Sequence, residues 1–409
     1  MKIDRWNVAL VTILSLLAGI CPTVAAETPE ERVAAVMPEI EQMLADADVP
    51  GAAIVVVHRG QPIHTHCYGV ADRASGRPVT PETIFAIGSV TKTMTATIIA
   101  ALVDEGVMAW DEPVETYLPW CTFPVRTADA RATPTVADVL SHQLGFRRMG
   151  IYWAAAEVPP AEVVRAALGA RPNAPLGESF QYNNVVFMSA GLAAEAATGT
   201  DYHDLLRRRL FQPLGMADAT SRHAEVIDDP RRATGYSPRL DGGEPYATPM
   251  RNLDSIAPAG SVNAHIRDMG RWAAAIARGG RYDGGRLAGP DQFSRMWTPL
   301  LDSGAGFEYG LGWMIRDLKG HRLVEHQGAI DGYAAAASFL PGEELGVVVL
   351  SNLMPNPALT PITDRILGAA LPPTGQDAAQ GDGETLEDFA GRYIANFATF
   401  DDDRFIVAV

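Results

Sequence analysis

Two hydrophobic rhythms alternate along the chain. Residues 30–47 set Val33, Val36, Ile40, Met43 and Leu44 three and four apart, which is the spacing of one buried helix face. Pro38 falls inside this stretch and is expected to open the main part of the helix, because proline suits a first turn better than an interior. The rhythm then changes. Ile54-Val55-Val56-Val57 is a β-branched run, Arg59-Gly60 reads as a turn, and residues 62–70 read as a second strand, so a β-hairpin is predicted. The middle of the chain is mostly helical in period, with apolar repeats over residues 91–103, 136–140, 185–197, 202–210 and 269–277. Strand signals return at residues 322–325, 334–340 and 345–350, the last two flanking the turn dipeptide Pro341-Gly342. Residues 361–370 predict a closing helix.

Strands at both ends with helices between them predict an α+β domain. One antiparallel sheet, built from both termini of the domain, would be flanked by helices, with a largely helical insertion beside it. Residues 223–258 are rich in Gly, Pro and charge and predict a long irregular excursion. Residues 376–384 are polar and contain Gly, as linkers do. The segment after them, residues 386–409, reads as the opening of another module, too short to fold alone. The expected organisation is a signal peptide over residues 1–26, one domain over 27–372, a linker over 373–385 and an incomplete module over 386–409.

The export reading rests on the first residues. Lys2 and Arg5 precede an apolar run over residues 8–20, and Val24-Ala25-Ala26 offers small residues for cleavage. Thirteen apolar residues fall short of the roughly 20 needed to span a bilayer. Bulky Ile20 before Cys21 speaks against a lipoprotein. A soluble, periplasmic or secreted protein with no membrane span after cleavage is expected. Of the three cysteines, Cys67 and Cys121 would remain; an oxidising compartment permits a bridge between them, though unpaired, partly buried thiols are the commoner outcome. No zinc spacing appears, and His64-Thr65-His66 reads as a polar strand face, so no metal or cofactor is expected.

Composition narrows the partners. The chain has 409 residues, 47% hydrophobic and 20% charged, with a formal charge of −16. Such a surface repels phosphate backbones, which excludes nucleic acid as a natural partner. Lys occurs only at positions 2, 92 and 319; the other thirty basic residues are Arg. That imbalance bears directly on the chemistry.

Ser89-Val90-Thr91-Lys92 is the one S-x-x-K in the chain, following Gly88 and opening the helical run that stops at Gly106. At i and i+3 the two side chains share a helix face. A serine hydroxyl needs a base to become a nucleophile, and a desolvated lysine can be that base, whereas arginine never gives up its proton. A bland reading competes: Ser as a helix cap and Lys solvated one turn on. Tyr182-Asn183-Asn184 is the one Y-x-N, placed just before a helical run, and a buried tyrosine near an ammonium can relay protons. His326-Gln327-Gly328 follows a predicted strand, where Gly lets a substrate backbone approach the edge. A second H-x-G, His58-Arg59-Gly60, lies in the first hairpin turn.

These three elements, in this order, resemble those of the serine β-lactamase and penicillin-binding-protein family. The resemblance spans about residues 30–370 and includes further landmarks: residues 140–146 (Leu-Ser-His-Gln-Leu-Gly-Phe), Pro213-Leu214-Gly215-Met216, Pro258-Ala259-Gly260-Ser261 and Tyr309-Gly310-Leu311-Gly312-Trp313. It implies a β-lactamase/transpeptidase-like fold, with Y-x-N and H-x-G placing the chain nearer the class C-related esterases and D-amino peptidases. It further implies Ser89 as nucleophile, Lys92 as general base and Tyr182 in the proton relay. Asn184 would orient substrate or Lys92, His326 would stand where relatives carry the Lys of K-T-G, and Gly328 would border the substrate. The backbone N–H groups of Ser89 and Ala329 would form the oxyanion hole. His142 is given a structural part only. The expected protein is an exported serine hydrolase acting on an ester or amide of a small molecule or peptide. A catalytically silent binding protein on the same fold and a weak true β-lactamase are the alternatives.

Overall fold

The computed structural model describes residues 27–127, 133–154, 158–239 and 241–372. The expected signal peptide, linker and C-terminal module lie outside the described residues. Nine strands form one antiparallel sheet. In chain order they are β1 (Gly51–His58), β2 (Gln61–Asp72), β3 (Arg77–Pro78), β4 (Leu301–Asp302), β5 (Glu308–Tyr309), β6 (Met314–Leu318), β7 (His321–Ile330), β8 (Tyr333–Leu340) and β9 (Leu345–Ser351). Their spatial order is β4-β5-β6-β7-β8-β9-β1-β2-β3. The N-terminal hairpin thus completes a sheet begun by the C-terminal strands, and β1 pairs with β9 from Ala52 opposite Ser351 to His58 opposite Leu345.

The continuous apolar run of β1 is explained by two covered faces. Ala53, Val55 and Val57 enter one core, while Ala52, Ile54 and Val56 enter another on the opposite side. The second core is closed by α1 (Pro29–Asp46) and α7 (Leu359–Ala370), through Val33, Ile40, Ile362 and Ile366 among others. α1 begins at Pro29, fixed by a capping box in which Thr28 and Glu31 bond each other's backbone N–H. Pro38 therefore does not open the helix. It sits inside a continuous helix on its exposed side, where its ring meets solvent rather than the core.

The other core holds the helical insertion: α2 (Thr91–Asp104), α3 (Val136–Leu140), α4 (Asn184–Thr198), the short α5 (Ala257–Gly260) and α6 (Ile266–Ala277). Trp272 of α6 and Trp313 stack with ring centroids 6.4 Å apart at its centre. The predicted helix over residues 202–210 is broken: an α-helix over Tyr202–Leu206 widens into a π-type turn over Arg207–Phe211. The 223–258 excursion is mostly irregular, as expected, but holds a small hairpin of Gly235–Ser237 and Tyr246–Thr248. Cys67 and Cys121 are both free, and burial pushes the Cys121 thiol up to about 12. Among the described residues no helix is long and apolar enough to cross a membrane.

Candidate active site

Ser89 sits where strand β7 and the start of α2 meet backbone to backbone. A 3₁₀ turn, Gly88–Val90, leads into the helix and leaves Ser89 partly exposed. The close approach needs two glycines. Gly88 has φ +50°, and a Cβ there would stand 2.8 Å from Ala329 N. A Cβ on Gly328 would overlap Ile87 O and stand 2.8 Å from Ser89 N. Gly328 thus serves first to let β7 lie against the serine turn, which brings the peptides of Ser89 and Ala329 side by side.

Lys92 is fully buried one turn further on. Its Nζ donates to Ser89 Oγ at 3.1 Å and to Ala259 O at 2.7 Å. It also lies over the rings of Tyr182 and Phe187, 4.9 and 5.4 Å from their centroids. Among the described residues no carboxylate pairs with it. Burial, helped by the nearby Arg148 charge, holds the amine well below its ordinary range. Ala259 is kept in place by the same helix: Thr95 Oγ1 donates to Pro258 O at 2.7 Å, and Val262 N donates to Thr91 Oγ1 at 3.2 Å. The Pro258–Ser261 landmark, given no role from sequence, supplies the carbonyl that seats the lysine.

Tyr182 completes a three-atom cluster. Its hydroxyl donates to Ser89 Oγ at 2.8 Å, and enclosure pushes the phenol up to about 12. Beside it Asn183, rather than Asn184, does the capping: Asn183 Oδ1 accepts from Val185 N and Val186 N at 2.9 and 3.1 Å, and Nδ2 donates to Arg147 O. Asn184 is the first residue of α4, buried, with Oδ1 lacking a hydrogen-bond partner among the described residues. No bond joins it to Lys92 there.

His326 reaches the cluster from β7 but is itself shut in. It is 1% exposed, its Nδ1 donates to Gln327 O at 2.6 Å, and its Nε2 accepts from Tyr309 OH at 2.9 Å. Burial pushes its pKa down to about 3, so the imidazole is neutral. Tyr309, noted in the sequence only as part of a landmark, is the residue that holds it. Arg148, missed entirely in the sequence, carries an exposed guanidinium 5.7 Å from the Tyr182 ring centroid.

Two other polar clusters do not join this one. His64 and His66 stack on β2 at 6.2 Å, with His66 Nε2 2.9 Å from Glu41 Oε1. Asp218, His265 and Asp268 could hold a cation by spacing alone. Their charges are already matched: Arg231 pairs with Asp218 at 3.0 Å, Arg271 with Asp268 at 2.6 Å, and His265 Nδ1 accepts from Asp268 N.

Comparisons with known proteins bear on the whole of this region. A family model described as Beta-lactamase matches residues 38–371. An unguisins hydrolase of Aspergillus campestris is 28% identical over 346 residues, covering 76% of this chain and 60% of that protein. Penicillin-binding protein 4 of Amycolatopsis lactamdurans is 29% identical over 313 residues, covering 74% and 81%. A D-aminopeptidase of Brucella ovis is 27% identical over 348 residues, covering 81% and 62%. The chain therefore spans about 60% of the unguisins hydrolases it matches. The solved structure of an octameric penicillin-binding protein homologue from Pyrococcus abyssi superposes with a TM-score of 0.72 at 25% identity, covering 82% of this chain and 77% of that one.

Proposed function

The chain belongs to the β-lactamase family, and from that membership we propose that it is a serine hydrolase working through an acyl-enzyme on Ser89. The observation that carries the reading is the state of Lys92: buried, without a carboxylate partner among the described residues, and 3.1 Å from the Ser89 hydroxyl. An amine so placed loses its proton more readily than one in water, and its lone pair then accepts the Ser89 proton. The Ser89 oxygen forms a bond to the substrate carbonyl carbon. The resulting oxyanion faces the N–H groups of Ser89 and Ala329, each donor contributing ~10²–10³ in rate in such sites. The proton on Lys92 passes, with Tyr182 as relay, to the departing oxygen or nitrogen as its bond to carbon breaks. Water then attacks the acyl carbon, giving one proton to the Lys92 amine; the bond from the acyl carbon to Ser89 Oγ breaks, that proton passes to Ser89 Oγ, and the carboxylic acid leaves. Tyr182, held near 12, stays a neutral phenol throughout and donates rather than serving as the resting base.

The substrate class in this reading is a small ester or amide, with peptides containing D-amino acids as the leading amide. The name of one relative, a D-aminopeptidase, favours peptide-type bonds. The neutral, enclosed His326 disfavours efficient turnover of carboxylate-bearing β-lactams, since no ammonium stands at that position. The charged start and apolar run of residues 1–26 support a site of action outside the cytoplasm in this reading. The test is covalent labelling: the protein is incubated with a fluorophosphonate, a penicillin and an acyl ester, and the adduct located by mass spectrometry. An adduct on Ser89, lost in Ser89→Ala together with turnover, is expected. Full turnover by folded Ser89→Ala would overturn the mechanism, and an unlabelled, inert wild type would favour a silent binding protein.

A further inference from the structure

Tyr182 sits on a segment without regular structure, yet its hydroxyl is aimed at one atom, Ser89 Oγ, 2.8 Å away. Something has to fix that backbone. The residue before Tyr182 and the residue after it both donate their N–H to a single side: Gln181 N to His142 O at 2.9 Å, and Asn183 N to His142 Nδ1 at 3.1 Å. His142, 41 positions upstream of Asn183, therefore brackets the tyrosine with its carbonyl and its ring.

The conformation of His142 is what allows this. It takes φ +59°, in the left-handed region that non-glycine residues seldom occupy, although His, Asn and Asp do so more readily than others. That turn points the carbonyl and the ring at the same partner segment. The imidazole is 1% exposed and lies 4.3 Å from the Tyr182 ring centroid and 5.0 Å from that of Tyr309. Because Nδ1 accepts from Asn183, the proton of the neutral ring sits on Nε2. A protonated ring would lose this acceptor. Burial holds His142 well below its usual range and keeps the acceptor available. Asn183, locked in this way, is also the cap of α4, so the same bond ties the tyrosine segment to a rigid helix.

We infer that His142 is a positioning residue for the proton relay: it sets the Tyr182 hydroxyl on Ser89 by accepting the N–H groups on both sides of Tyr182 and packing its ring against the phenol. The inference rests on the reading of Ser89 as nucleophile and of Tyr182 as relay. It gives a chemical purpose to a stretch that sequence reasoning treated as structural alone. It also links two parts of the site, since Tyr309, whose ring likewise lies beside that of His142, holds His326.

A double-mutant cycle separates this from simple support of the fold. Gly and Asn both tolerate the left-handed conformation. His142→Gly removes the acceptor, whereas His142→Asn can place its amide oxygen where Nδ1 stood. Acylation of Ser89 by an acyl ester, read as the rate of adduct formation, is measured for both variants in wild-type and Tyr182→Phe backgrounds. Circular dichroism checks that each protein is folded. A general acid–base contribution is ~10²–10⁴, so partial misplacement of the relay is expected to cost about 10- to 50-fold in His142→Gly. In the Tyr182→Phe background the same change is expected to cost less than about threefold, because the relay is already gone. His142→Asn should recover to within about fivefold of wild type. Should His142→Gly not fold, His142→Asn carries the test, any loss it shows having to vanish in Tyr182→Phe. An equal loss in both backgrounds, or an Asn variant no better than Gly, overturns the inference while leaving Ser89 labelling intact. Ser89→Ala protein with full turnover would instead overturn the reading beneath it.

Discussion

Lys92 on α2 and Arg316 on β6 are both basic side chains drawn in from water, the first fully buried and the second partly so, and the protein surrounds them in opposite ways. Arg316 Nε meets Glu325 Oε1 at 2.7 Å and Arg316 Nη2 meets Asp364 Oδ1 at 2.5 Å, while Ser338 Oγ donates to the other Glu325 oxygen. These carboxylates outweigh burial and hold the guanidinium charged. Lys92 has a hydroxyl, a carbonyl and two ring faces instead, and burial decides its charge in the other direction. Taking an ion out of water costs several kcal/mol, on the order of 5, unless a partner compensates. An arginine must be given that partner, because it cannot shed its proton. A lysine without one can become a base. The contrast also accounts for the residue choice: a chain that uses Arg almost everywhere keeps Lys at position 92. Strand β7 serves both clusters, with Glu325 turned toward the α7 side and its neighbour His326 toward Ser89.

The comparison can be broken at either end. The largest effect is expected at Lys92. Lys92→Arg restores a permanent charge, and Lys92→Met keeps the length without an amine; both should slow Ser89 acylation by ~10³, the mid-range of a lost general base. Acylation kinetics on protein shown to be folded by circular dichroism check this, and near wild-type rates in either variant would remove Lys92 from the role. Next in size is Arg316→Met, which takes the cation from buried Glu325 and half-buried Asp364. Breaking a buried pair from one side should lower unfolding free energy by about 3 kcal/mol, read from urea denaturation. Acylation per folded molecule should change little, and a collapse of activity at unchanged stability would show that the two clusters are not separate in function. The smallest effect is expected at His326. His326→Lys puts an ammonium where the neutral ring now accepts from Tyr309, and should shift the acylation ratio of carboxylate-bearing β-lactams over neutral esters upward by about threefold. An unchanged ratio would mean that position 326 does not sense substrate charge.

Elements with a sustained period were legible in the sequence. Both β1 and α2 announced themselves because each is apolar over many consecutive turns or alternations. The strands Leu301–Asp302 and Glu308–Tyr309 did not, since two residues carry no period. Ser89 and Lys92 were legible as a pair because their contact is local, three residues apart across the turn that opens α2. The atoms that tune them were not. Ala259 O comes from 167 residues away and His142 Nδ1 lies 41 residues from its partner, and neither a backbone carbonyl nor a ring nitrogen leaves a mark at such distances. The placement of the Y-x-N asparagines followed the same rule: the helix start was visible, but which Asn would cap it depended on Arg147 and His142.

The central claim, that Lys92 works as a neutral amine, is tested most directly by the pH dependence of Ser89 acylation, followed as adduct mass in wild type and Lys92→Met. The protonated lysine is inactive as a base, so the wild-type rate should rise with pH and level off once the amine has lost its proton. Because burial lowers the Lys92 pKa, the rise should finish well below the ordinary lysine value of about 10.4. It should be absent from Lys92→Met. A rise centred near the ordinary lysine value, one near 12 where the Tyr182 phenol titrates, or the same limb persisting in Lys92→Met would contradict the account.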